Sequence, residues 1–125
     1  MKITGVCPLI VTRDQENVVK TFEGLGFESR HIKTDIEGGA NVSVTMKDAG
    51  GNRISIASTT QDRPDITGIQ INVDNFREAY DFFVGQGFVD FRGETTTVTR
   101  SDQATLLFAP SGFAIIISEH FKDRD

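Results

Sequence analysis

The chain has 125 residues, 38% of them hydrophobic and 25% charged, an ordinary composition for one globular domain. Its 13 Lys and Arg against 18 Asp and Glu leave a net charge of −5, which argues against a nucleic-acid partner because phosphate binding draws on surplus cations. No apolar run approaches the ~20 residues of a membrane span, the single Cys7 allows no internal disulfide, and no signal-peptide pattern precedes the first strand-like run, so a soluble, cytoplasmic protein with no membrane partner is expected.

In chain order, residues 3–12 (ITGVCPLIVT) are apolar and β-prone and predict a strand. A helix follows at about 14–24, where Val18, Phe22 and Leu25 form one apolar stripe. Three strand signals come next, at about 27–34, 41–47 and 52–58, punctuated by Glu37-Gly38-Gly39 and Ala49-Gly50-Gly51-Asn52. The polar stretch 59–65, with Pro64, reads as a link. Residues 66–73 (ITGIQINV) predict another strand, and 75–86 a helix with Phe76, Ala79 and Phe83 on its stripe. Strands at about 88–99, 103–109 and 112–119 close the series, broken by Ser101-Asp102 and Pro110-Ser111-Gly112. Asp14 and Asn75 suit the N-caps, where their side chains accept free amide hydrogens. Gly24, Gly26, Gly85 and Gly87 are read as the left-handed residues that end the helices.

The two halves are copies of one unit. Gly24-Leu25-Gly26-Phe27 returns as Gly85-Gln86-Gly87-Phe88 at an offset of 61 residues. At that offset Ile10 meets Ile71, Phe22 meets Phe83, Thr34 meets Thr95, Gly51 meets Gly112, and Ile54 and Ile56 meet Ile115 and Ile117. The chain is therefore expected to be a single α+β domain of two tandem βαβββ modules, at about 1–58 and 66–120.

A doubled βαβββ unit of this size resembles the vicinal oxygen chelate superfamily, which includes glyoxalase I, bleomycin-resistance proteins, fosfomycin-resistance enzymes and extradiol dioxygenases. The likeness rests on the repeated Gly-x-Gly-Phe and on two hairpin segments, Asp48-Ala49-Gly50-Gly51-Asn52-Arg53-Ile54 and Ala109-Pro110-Ser111-Gly112-Phe113-Ala114-Ile115. It implies a glyoxalase-like fold in which the two sheets form a cleft with the helices outside. It also implies a small-molecule ligand in that cleft and a homodimer.

The resemblance further implies a divalent ion held by His and Glu side chains. Counting seven residues back from the capping positions leads to Cys7 and Gly68. Counting four on from the hairpin glycines leads to Ser55 and Ile116. Imidazole and carboxylate groups serve a dication at neutral pH, and hydroxyls do so weakly. Gly68 and Ile116 donate nothing, Ser55 is a poor ligand and Cys7 stands without a partner. A slip of one residue offers no better donor. No metal site and no cofactor are therefore expected.

Strand alternation sorts the remaining residues. Ile69, Ile71 and Val73, Ile54 and Ile56, Val42, Val44 and Met46, and Ile115 and Ile117 are expected toward the helices. The cleft is then lined by Cys7, Leu9, Ser43, Thr45, Arg53, Ser55, Gln70, Asn72, Leu106, Phe108 and Ile116, together with Gly68, Ala57, Ala104, Ala114 and Ser118. This is the mixture of apolar and oriented polar groups usual in small-ligand sites. Arg53 suits a ligand carboxylate or phosphate, or is a solvated residue at a strand end. Gln70 and Asn72 need partners if buried, or lie on a wet sheet face. Cys7 lacks a neighbouring base in the chain that would activate its thiol. His31 and His120 read as strand-end histidines, the ten Phe as packing residues, Glu94–Thr99 as a hydroxyl-rich strand and Lys122–Asp125 as a frayed terminus. No catalytic residue is assigned, since no nucleophile–base or phosphate-loop spacing is present.

The reading that follows is a metal-free protein of the bleomycin-resistance type that holds a small molecule in its cleft. The alternatives are a metal-dependent lyase, transferase or dioxygenase of the same superfamily, and an interaction module without a ligand.

Overall fold

The computed structural model describes residues 1–34, 42–60, 62–90, 97–98 and 102–120. The turn at Glu37-Gly38-Gly39, most of the Glu94–Thr99 run and the tail Lys122–Asp125 lie outside them.

The elements follow the order predicted by periodicity. They are β1 (Ile3–Thr12), α1 (Gln15–Gly24), β2 (Glu28–Thr34), β3 (Val42–Lys47), β4 (Arg53–Ser58), β5 (Ile66–Val73), α2 (Phe76–Gly85), β6 (Thr97–Val98), β7 (Asp102–Phe108) and β8 (Ala114–His120). Of the strand expected at 88–99, the described parts are an isolated bridge between Val89 and Phe108 and the two residues of β6. The chain divides into two compact units, Cys7–Thr67 and a second made of Met1–Val6 with Gly68–Asp125.

In the Cys7–Thr67 unit the strand order is β2-β3-β4-β1. The β1–β4 pair is parallel and joins Leu9 to Ser55, while β4–β3 and β3–β2 are antiparallel. Val44, Met46, Ile54 and Ile56 form the buried apolar face, packed by Ile10, Val18, Val19, Phe22 and Phe27. The expected α1 stripe is corrected at its end. Leu25 is 69% exposed and Val19 packs in its place. The helix stops at Gly24, and Leu25 is the residue that closes it.

In the other unit the order is β5-β8-β7-β6. β5 and β8 run parallel, with Ile71 beside Ile117, and β8–β7 is antiparallel. Val73, Leu107, Ile115 and Ile117 pack with Phe76 and Ala79 of α2, flanked by Ile71, Tyr80, Phe83 and Phe88. Ile69 departs from expectation: it shares the register of Ile115 but stays 42% exposed. The first residues of β1 join this unit through Asp74, whose amide donates to the Lys2 carbonyl at 3.0 Å and whose carboxylate accepts from the Lys2 amide at 2.6 Å.

The helix ends also correct the first reading. Of the four glycines at the helix ends, Gly26 and Gly87 take positive φ, at 101° and 92°, whereas Gly24 and Gly85 are the last helical residues. In both copies the following Phe amide reaches back to a Phe carbonyl, Phe27 to Phe22 and Phe88 to Phe83, each at 3.0 Å, as a glycine-terminated helix requires. At the helix starts the copies differ. Asn75 caps α2, accepting from the Glu78 amide at 3.0 Å. Asp14 makes no capping bond, because its carboxylate is engaged by the Asn17 side chain at 2.9 and 3.0 Å.

Candidate functional site

Each unit has one strand face covered by its helix and one turned the other way, and the register settles which residues lie on the second. In the Cys7–Thr67 unit, Leu9 pairs with Ser55 and Ser55 with Thr45, while Ala57 pairs with Ser43. Cys7 precedes Leu9 by two residues, and Arg53 precedes Ser55 by two, so both share this side. Cys7, Leu9 and Ser55 are buried, Ser43 and Thr45 half-buried, and Arg53 exposed at the strand end. The Ser43 and Ser55 hydroxyls lie 3.4 Å apart, and either can donate. His31 is paired through its backbone with Thr45.

In the second unit, Gln70 lies beside Ile116, which pairs with Leu106. Asn72 lies beside Ser118, which pairs with Ala104, and Gly68 lies beside Ala114, which pairs with Phe108. Gln70 is only 8% exposed and Ser118 is buried, while Asn72, Leu106, Phe108 and Ile116 are half-buried. The Gln70 amide nitrogen donates to the Asn72 side-chain oxygen at 3.2 Å. The register thus gathers Cys7, Leu9, Ser43, Thr45, Arg53 and Ser55 on one face, and Gln70, Asn72, Leu106, Phe108 and Ile116 on the other unit's face. His120 is exposed at the end of β8.

Two glycines of the second face go beyond the first reading. A Cβ built on Gly68 would stand 2.1 Å from the Ala114 carbonyl oxygen and 2.8 Å from its carbon, so no side chain enters without a backbone shift. A Cβ on Gly5 would stand 3.3 Å from the Asn72 amide nitrogen. The signal available in the sequence was a glycine inside a strand, which marks close backbone approach.

These facts bear on the metal that the resemblance implies. Of the four positions, Cys7 is buried, Ser55 is buried against Ser43, Gly68 has no room for a side chain and Ile116 is aliphatic. Imidazole and carboxylate donors are absent from the set, so these residues do not fit a divalent ion of the His/Glu type. Among the described residues, no three His, Cys, Asp or Glu side chains come together as a metal-holding group.

No protein-family model and no curated protein matches the sequence. Solved structures do match in shape. Methylmalonyl-CoA epimerase from Mycobacterium tuberculosis superposes with a TM-score of 0.66 at 14% identity, over 94% of this chain and 89% of that one. Glyoxalase I from Zea mays gives 0.63 at 13% identity, over 98% of this chain and 45% of the longer enzyme. A glyoxalase/bleomycin resistance protein/dioxygenase superfamily member from Vibrio splendidus 12B01 gives 0.50 at 14%, over 94% and 99%. No helix among the described residues is long and apolar enough to cross a membrane. With the β-α-β-β-β order repeated and both strand orders in agreement, the chain has the vicinal oxygen chelate fold.

Proposed function

We propose that this protein binds a small molecule on the strand faces turned away from its helices, and that it does so without a metal ion. The supporting observation is the pairing of a poor metal donor set with a face built for a ligand. Where the fold's enzymes would place ligating side chains, this chain has Cys7, Ser55, Gly68 and Ile116, and the Gly68 backbone packs against Ala114. Each unit's face carries hydrogen-bonding groups held by a neighbour: Ser43 with Ser55 in the Cys7–Thr67 unit, and Gln70 with Asn72 on the strand beside Ile116 in the other. A few placed polar groups on an apolar wall suit capture and orientation of a ligand. The amides supply no general base, and among the described residues the two serine hydroxyls are bonded to each other and not to a base that would activate them, so binding, and not turnover, is the reading favoured by the chemistry.

A thermal-denaturation screen against a broad small-molecule library tests this. A ligand present at 100 times its dissociation constant stabilises the folded chain by about 2.7 kcal/mol. At least one compound is expected to do so, and its effect should fall when Gln70 or Asn72 is replaced. Uniform failure across the library would count against ligand binding.

A further inference from the structure

We infer that the face around Gln70 and Asn72 recognises its ligand through a neutral amide group, such as a carboxamide, lactam or urea. This deepens the ligand-binding reading above and rests on it. Gln70 and Asn72 lie two residues apart on one side of β5 and are joined by a single hydrogen bond of 3.2 Å. Two carboxamides carry two carbonyl oxygens and four N–H hydrogens between them. One bond between them leaves a whole carbonyl oxygen and three hydrogens, whichever way each amide is turned. The pair therefore offers an acceptor and a donor side by side, which is the complement of another amide. Among the described residues, no buried side-chain polar atom lacks a hydrogen-bond partner. The unused Gln70 oxygen is thus open to a ligand or to water, although the residue as a whole is only 8% exposed.

Charge points the same way. From Gly68 to Asn72 on β5, and on the paired stretches of β7 and β8 between Phe108–Ala114 and Ala104–Ser118, this face carries no ionisable residue. The first ones come at the end of the ladder, with Asp74 two residues beyond Asn72 and with the Asp102–His120 pair. An anion taken from water onto such a surface would lose its hydration with no cation to replace it. A neutral amide loses far less and recovers hydrogen bonds to both side chains, while Leu106 and Ile116 cover its apolar body. Gly5 contributes room, since a methyl group there would crowd the Asn72 amide nitrogen at 3.3 Å.

The test uses the full chain labelled with nitrogen-15 and three probes of similar shape, benzamide, benzoate and toluene. Correlation spectra follow the side-chain NH₂ pairs of Gln70 and Asn72 during each titration. Benzamide is expected to shift both pairs and benzoate to leave them in place. Asn72→Leu should weaken benzamide about tenfold, the loss of one or two net hydrogen bonds, and spare toluene. Gly5→Ala, which displaces the amide without removing it, should weaken benzamide selectively, and the backbone resonances of the same spectra report that each variant is folded. Benzoate acting as strongly as benzamide, or Asn72→Leu leaving benzamide binding intact, would overturn the inference. Toluene binding here with no preference for benzamide would overturn it too, yet leave the ligand-binding reading standing. If no probe perturbs any strand-face residue of either unit, the inference falls, and the library screen decides the ligand-binding reading separately.

Discussion

At the scale of the residue, Gly68 sits where adjacent strands leave no room for a side chain. With the Ala114 carbonyl 2.1 Å from where a Cβ would sit, the β5–β8 ladder must open to admit any side chain at that position. Gly68→Ala is therefore expected to destabilise the protein by about 2 kcal/mol, in the range for overpacking. Gly85→Ala is the control, because Gly85 ends α2 with open space around it and a negative φ. It should be neutral or stabilise by up to about 1 kcal/mol. Urea denaturation of both variants checks the opposite signs, and equal effects would contradict the packing at Gly68.

Asp48 carries a second prediction at this scale. Its carboxylate accepts from the Asn52 side chain at 2.9 Å and from the Asn52 amide at 2.8 Å. These bonds, the side-chain one foremost, hold its pKa below the ordinary value of 3.8. A carboxyl group whose pKa is lowered by folding adds stability that is fully present above its ordinary pKa and is lost as pH falls through its folded value. Asp48→Asn should therefore be less stable than the parent at neutral pH, with the gap narrowing below about pH 4. Thermal melts between pH 2 and 7 would show it; a constant gap would mean that the turn does not depend on the charge.

At the scale of the element, the two copies keep one backbone plan but fasten it differently. The hairpins at Asp48–Asn52 and Ala109–Phe113 share a glycine of positive φ, at 87° for Gly51 and 108° for Gly112, and the same two backbone bonds, in which the first residue's amide donates to the fifth residue's carbonyl and its carbonyl accepts from the glycine. Only the first has a carboxylate to brace it. The start of α2 is held twice, by Asn75 and by the Glu119 carboxylate, which accepts from the Phe76 amide at 2.7 Å. The start of α1 is tied instead by Gln15, whose side chain donates to the Ile56 carbonyl at 2.8 Å. Asn75→Ala should thus cost about 1 kcal/mol, and Asp14→Ala distinctly less, since Asp14 caps nothing. Chemical denaturation of the pair decides it, and equal losses would show that Asp14 caps α1 in solution.

Strand and helix positions were legible because burial imposes a period on the sequence. Val44, Met46, Ile54 and Ile56 alternate with the residues of the other face, and a strand has no third choice. The misreadings fall where period gives way to local competition. Asp14 has the right residue type for a cap, but Asn17, three residues on, takes its oxygens. Leu25 continues the numerical stripe, but the helix has ended. Gly24 and Gly85 look like left-handed exits, yet the turn needs only one such residue, and Gly26 and Gly87 supply it. The candidate site was legible as a set of residues on a face. The Gln70–Asn72 bond and the closeness of Gly5 and Gly68 to their neighbours were not, because they depend on how adjacent strands are spaced.

At the scale of the whole molecule, the fold is similar to that of methylmalonyl-CoA epimerase from Mycobacterium tuberculosis at 14% identity. Each βαβββ half has an apolar strand period, a helix-ending glycine and a hairpin glycine. The faces turned away from the helices carry amide, hydroxyl and aliphatic side chains at Gln70, Asn72, Ser43, Ser55, Leu106 and Ile116. The central claim is that this face serves binding without a metal. Its most direct test is the metal content of untagged protein, measured after incubation with Ni²⁺, Mn²⁺, Fe²⁺ or Zn²⁺ and removal of the excess. The account predicts no ion retained at stoichiometric level. One tightly held ion per chain would contradict it, and would show that donors other than Cys7, Ser55, Gly68 and Ile116 form a metal centre.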